Sequence, residues 1–184
     1  MSSYVCPQCG LDYDTILPPD AAVALRSFPR RYAELLPARD DDAKPDGVIR
    51  RRPEPTVWSA LEYAAHVADV EDELAGAIKQ MTTSDNPTID TFADPDQAVV
   101  DKKYNEQERA DVLARVKEAC ERAAGVVEAV PNDAWNKTAV FPWGERDALT
   151  MMRNAVHEGY HHLRDVADVL RRVIGQPVEV PGDD

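Results

Sequence analysis

The sequence predicts an all-α fold: a four-helix bundle with long crossover loops, plus a short N-terminal Cys-x-x-Cys segment. Four stretches keep apolar residues at spacings of three and four. Almost nothing alternates as a strand would, and proline-punctuated polar segments separate the stretches. A chain of 184 residues is long enough to bury one full core. Stripes of this kind are buried by packing helix on helix, and the long connections point to crossovers rather than minimal turns.

The first helix is expected from about Asp20 to Leu36. Asp20 is the N-cap, Pro18-Pro19 precede it and Pro37 stops it, and Val23, Leu25, Phe28, Tyr32 and Leu35 form its stripe. A long polar segment, 37–55, follows with an Asp40-Asp41-Asp42 run and an Arg50-Arg51-Arg52 run; loops of this length tend to be functional or mobile. The second helix is expected from Val57 to Met81 behind Thr56, with Trp58, Leu61, Ala65, Val70, Leu74 and Ile78 in register. Residues 82–104 read as irregular. The third helix is expected from Asn105, boxed with Glu108, along Val112, Val116, Cys120, Ala123 and Val127 to Pro131. The fourth is expected from Asp147 to Ile174, with Gly175 closing it and Leu149, Met152, Val156, Tyr160, Leu163 and Leu170 facing inward. The chain therefore divides into a Cys-x-x-Cys segment over 1–19 and the bundle over 20–184.

Apolar residues make up 43% of the chain, enough for a packed core, and the formal net charge is −13. That sign disfavours nucleic acid and anionic membrane surfaces as partners. No stretch approaches the roughly 18 apolar residues that span a bilayer, and the N-terminus lacks the basic-then-apolar pattern of a signal peptide. Three cysteines are an odd number and make no disulfide framework, so a reducing cytoplasm is the expected compartment.

The four histidines carry the chemistry. His157 and His161 are four apart and share one face of the last helix, where two imidazoles can reach one metal ion. His66 lies beside the apolar stripe of the second helix and is the natural third ligand. A tris-histidine site on His66, His157 and His161 leaves a coordination position open for water or substrate, as in reactive zinc centres. His162 is turned about 100° from His161 and faces solvent, the first helix or a partner chain. Glu62, one turn before His66, is either an acceptor behind that ring or a surface carboxylate.

These features resemble the DinB-like family, which includes metal-binding domains of bacterial thiol-dependent S-transferases and mycothiol-dependent isomerases. The matching stretches are Trp58-Ser-Ala-Leu-Glu-Tyr-Ala-Ala-His66-Val-Ala-Asp69, then Pro142-Trp-Gly144, then His157-Glu-Gly-Tyr-His161-His162-Leu-Arg-Asp165. Asp94-Pro-Asp96 and Tyr104-Asn-Glu-Gln107 look like the family's connection into its third helix. The resemblance spans about residues 20–174. It implies a four-helix bundle, often a homodimer, with zinc or nickel on the positions matched by His66, His157 and His161. It also implies a low-molecular-weight thiol as cosubstrate, and many members have no known substrate. The physical reading of such chemistry is metal-assisted thiol transfer, because a metal at an open site favours the thiolate, the true nucleophile. Arg50, Arg51 and Arg52 would receive an anionic thiol carrier if their loop folded over the site; otherwise they are a solvated basic run.

Cys6-Pro7-Gln8-Cys9-Gly10 is half of a zinc-ribbon pattern, and Cys120 belongs to a helical stripe instead of completing it. The pair can bind a second metal with ligands from elsewhere, cover the histidine site and add thiolates to the same ion, act as a redox dithiol, or stay unliganded. Closure of the histidine site by Cys6 and Cys9 would remove the open position and make the protein structural or regulatory.

Two other functions compete. His157-Glu158-Gly159-Tyr160-His161 is literally H-E-x-x-H, with Glu158 as a general base and Glu179 as a downstream ligand of a metallopeptidase. Glu179 sits in a proline-bounded tail, a poor place for a rigid ligand. The second rival is a non-catalytic metal-binding or dimeric interaction module. Trp58, Trp135 and Trp143 read as packing anchors.

Overall fold

A computed structural model describes residues 4–44 and 47–182. Residues 1–3 of the expected Cys-x-x-Cys segment, Pro45 and Asp46 of the polar loop, and residues 183–184 lie outside these. The chain forms α1 (Pro18–Leu35), α2 (Ala60–Thr83), the short α3 (Pro95–Asp101), α4 (Arg109–Ala129), a hairpin of β1 (Thr138–Phe141) and β2 (Gly144–Asp147), and α5 (Ala148–Ile174). The four long helices make the expected bundle. α1 and α2 each pack mainly on α4 and α5, so chain-adjacent helices α1 and α2 sit on a diagonal. The 36–59 connection must cross the bundle to allow this.

Local chemistry sets the helix ends. α1 begins two residues before the expected start, because Pro18 and Pro19 occupy its first turn, where a missing N–H leaves no bond unmade. α2 begins later than expected. Ser59 caps it by accepting from the Glu62 amide, and the Glu62 carboxylate accepts from the Ser59 amide in return. α4 also starts later, at Arg109, because Lys103 turns left-handed with φ 49° and holds Tyr104–Glu106 in a separate 3-10 turn. Asn105 caps no helix. Its side chain accepts from Ser59 Oγ at 2.8 Å and donates to the Arg50 carbonyl at 2.9 Å, tying the α1–α2 crossover to the α3–α4 connection. α5 matches its expected limits: Asp147 accepts from the Thr150 amide at 2.7 Å, and Gly175 closes the helix at φ 73°.

The hairpin and α3 were not expected. β1 and β2 pair antiparallel from Thr138 with Asp147 to Phe141 with Gly144, and Val140 also exchanges backbone hydrogen bonds with Pro87 and Ile89. The core joins Leu25, Phe28 and Tyr32 of α1 to Leu61 and Ile78 of α2, Val116 and Cys120 of α4, and Met152 and Leu163 of α5, all fully buried. Gly159 lets α1 and α5 approach closely: a Cβ there would lie 2.2 Å from the Phe28 ring, and Tyr32 donates to the Gly159 carbonyl at 2.9 Å. No helix of the described residues is long and apolar enough to cross a membrane.

Candidate metal centre

α5 presents two adjacent stripes, each an i, i+4 pair: His157 with His161, and Glu158 with His162. The bundle gives the two stripes different partners. His157 and His161 lie with Cys6 and Cys9, and one ligand atom from each falls within 4.8 Å of all the others. Glu158 and His162 lie with His66 of α2 under the same distance limit. A third grouping, His161, His162 and Asp165, shares its members with these. The three histidines expected to share an ion, His66, His157 and His161, are thus placed in two groups. The reason is the roll of α5, which turns the Glu158–His162 stripe toward α2 and leaves the His157–His161 stripe to the N-terminal segment.

In the first group a tight turn carries the thiols. Cys6 accepts at its carbonyl from the Gly10 amide at 2.8 Å and donates its own amide to Leu11 at 2.9 Å, with Gly10 at φ 76° completing the turn. Tyr13 Oη donates to Asn154 Oδ1 at 2.7 Å and Arg164 donates to the Cys9 carbonyl, so the turn is fixed to α5. Both thiols are free and buried. Cys6 Sγ lies 3.7 Å from His161 Nδ1. Burial alone would raise the Cys6 thiol, but the Cys9 amide, His157 and the Gln8 amide bring it down to about 6. Burial raises the Cys9 thiol. His157 Nε2 is buried with no hydrogen-bond partner among the described residues. An orphaned imidazole nitrogen beside two buried thiols is the donor geometry that a metal ion satisfies.

In the second group two ring nitrogens converge on one carboxylate oxygen: Glu158 Oε2 lies 3.2 Å from His162 Nε2 and 3.9 Å from His66 Nε2. Behind His162, Nδ1 meets Asp165 Oδ2 at 2.8 Å. A protonated ring donates from Nε2 to the Glu158 carboxylate as an ion pair; a neutral ring with its proton on Nδ1 turns an Nε2 lone pair to the same place, where it and the carboxylate are two metal donors. Burial works against a charge here, yet Asp165 and Glu158 push the His162 pKa up to about 9. Burial would raise Glu158 too, but His157, His162 and His66 hold it far below the usual carboxylate range. The two carboxylates favour positive charge at this site. Aromatic neighbours hold the rings: Trp58 lies edge-on to His66 at 5.3 Å, and Tyr63 packs on His162 at 5.4 Å.

The carboxylates serve both groups. Glu158 Oε1 faces His157 Nδ1 at 3.6 Å, and Asp165 Oδ2 faces His161 Nε2 at 3.5 Å. Every imidazole on this stretch of α5 therefore has a nitrogen near a carboxylate; of these contacts, only that of His162 with Asp165 is a hydrogen bond. A cleft of about 600 Å³ opens beside Glu158 and His157, walled by Tyr4, Tyr13, Arg146 and Arg153.

Other expected contributors lie elsewhere. Glu62 is not behind His66; it is buried and receives the Arg52 guanidinium at 2.6 and 2.8 Å. Arg50 is buried and donates to the carbonyls of Asp42 and Asn105. These two arginines hold the crossover loop in place. Glu179 is exposed and belongs to no ligand group among the described residues, while the tail beyond it returns to α1 through Arg31 and the Pro181 carbonyl at 2.8 Å. Glu158 and His162 were not foreseen as ligands alongside His66. Their signal was the second i, i+4 pair, displaced by one residue from the first.

Comparison with known proteins gives two findings. A sequence model described as the DinB superfamily matches residues 24–166. The fold is also similar to that of YfiT from Bacillus subtilis, described as "a probable metal-dependent hydrolase with an unusual four-helix bundle topology". The TM-score is 0.70 at 14% identity, over 86% of this chain and 88% of that one. No curated protein matches the chain.

Proposed function

The chain belongs to the DinB superfamily, and from that premise we propose that it is a metal-dependent enzyme that transfers a small thiol to an electrophile. His66, Glu158 and His162 hold the ion. The observation that carries this reading is the convergence of two Nε2 atoms and one carboxylate oxygen, from two different helices, with the carboxylate, Glu158, also lining the cleft. Three protein ligands leave a position for an exogenous group, which is the pattern of reactive zinc centres. Zinc or nickel suits two imidazoles and a carboxylate. Bound there, the ion supplies Lewis acidity that favours a thiolate or a hydroxide at neutral pH.

The protein's own groups do the rest. Asp165 holds His162 with Nε2 facing the site, and Trp58 and Tyr63 keep both rings from turning. Arg146 and Arg153 line the cleft and suit an anionic substrate or thiol carrier. In the transfer the thiol sulfur forms a bond to the electrophilic carbon, the leaving group departs with the electron pair of the broken bond, and the thiol proton passes to solvent. A reducing compartment such as the cytoplasm suits three free cysteines. The hydrolase description of the YfiT protein supports a second reading, in which water takes the place of the thiol.

The test is consumption of free thiol by metal-loaded protein over a panel of electrophiles. Wild type should accelerate it, and chelation or His66→Ala should abolish the acceleration. Turnover of the electrophile without thiol loss would select hydrolysis. A tightly held metal with no turnover of either kind would leave a non-catalytic module.

A further inference from the structure

We propose that Cys6, Cys9, His157 and His161 hold a structural zinc ion, separate from the open site, that fastens the N-terminal segment to α5. The donor set is two sulfurs and two imidazole nitrogens, with one ligand atom of each within 4.8 Å of the rest. Four such ligands complete a tetrahedral zinc site with no position left for substrate.

Three observations point to a metal in place of an idle turn. The His157 Nε2 atom is buried without a partner. Nδ1 of the same ring faces Glu158, and Nε2 of His161 faces Asp165, at 3.6 and 3.5 Å, so each ligating ring has a carboxylate behind it. The two cysteines are 3% and 4% exposed, although the turn that bears them has little apolar core of its own. Burying two thiols in a short polar turn is accounted for if they are ligands. On binding, each thiol gives up its proton to solvent, and the sulfur's electron pair goes to the ion.

The site also has a consequence for the cleft. Tyr4 and Tyr13 flank the cysteine turn, pack edge-on at 5.0 Å, and form one wall of the 600 Å³ cleft. The ion therefore braces that wall, together with the hydrogen bonds from Tyr13 to Asn154 and from Arg164 to the Cys9 carbonyl. Two ion sites share one helix, displaced by a single residue, and share Glu158 and Asp165 between them.

Cobalt titration of the metal-free full chain tests this. Wild type should show thiolate-to-cobalt charge-transfer absorption and strong tetrahedral bands that saturate at one equivalent. A second equivalent should bind without adding charge transfer. Cys9→Ser should abolish the charge-transfer band, and His66→Ala should leave it intact. If Cys9→Ser does not fold, the wild-type spectrum still decides, together with zinc protection of Cys6 and Cys9 from alkylation, read by mass spectrometry. Absence of the band in wild type, or its loss in His66→Ala, overturns the proposal. A band at one equivalent with no second equivalent upholds this site and removes the open one.

Discussion

Single residues on α2 show how environment divides like groups. Asp69 is half-buried, which would raise its carboxyl, but Lys102 at 2.6 Å, Tyr104 and Arg115 hold it below the usual range. Glu71, two residues on, is fully buried, and neither carboxylate oxygen has a partner among the described residues. Burial pushes its carboxyl well above the usual value, and Glu158 adds to this. The two groups act on stability in opposite directions. Asp69 stabilises the fold above the unfolded value of about 3.9 and loses that effect as pH falls. Burial raises the folded pKa of Glu71 above the unfolded value of about 4.3, which favours its neutral form in the folded state. Its contribution is intact below that value and is lost as pH rises toward and through the folded pKa. Glu71→Met should therefore raise stability by about 1–3 kcal/mol at pH 7–8, with less gain at pH 4. Denaturant melts at the two pH values measure this. An equal gain at both would mean that Glu71 is not held neutral.

At the scale of elements, the close approach of α1 and α5 sets the site, because Gly159 lies between Glu158 and His161. Gly159→Ala adds a methyl 2.2 Å from the Phe28 ring, which is itself fully buried. The overpacking should cost about 1–3 kcal/mol, more than the gain of about 1 kcal/mol in helix propensity. The expected result is a lower thermal midpoint with weaker metal binding; an unchanged midpoint would show that α1 moves aside freely. The four long helices were legible in the sequence because each carries a sustained stripe and a cap or breaker. Their starts were less so: Thr56, Ser59 and Asn105 all have the chemistry of a cap, and tertiary bonds select Ser59 for α2 and turn Asn105 to the Arg50 carbonyl. The hairpin escaped because each strand spans only four residues, and the third segment that steadies it, around Pro87 and Ile89, is distant in the chain.

At the scale of the whole molecule, metal capacity comes from how the N-terminal segment and α2 sit on either side of one helix. Every candidate ligand residue type was visible in the sequence, and so was the spacing of four along α5. What the sequence did not carry was the roll of α5, because His157 with His161 and Glu158 with His162 have the same spacing and differ only by about 100° around the axis. The packing of Phe28 and Tyr32 against Gly159, a contact between positions more than a hundred residues apart, is one of the tertiary contacts that hold that rotation. The same rotation gathers four imidazoles with two carboxylates in one region of an acidic chain of net charge −13.

The most direct measurement is anomalous X-ray scattering at the metal edge from crystals of the full chain grown with zinc. The account predicts two separate peaks, one among Cys6, Cys9, His157 and His161 and the other among His66, Glu158 and His162. A single peak ligated by His66, His157 and His161 together would contradict it.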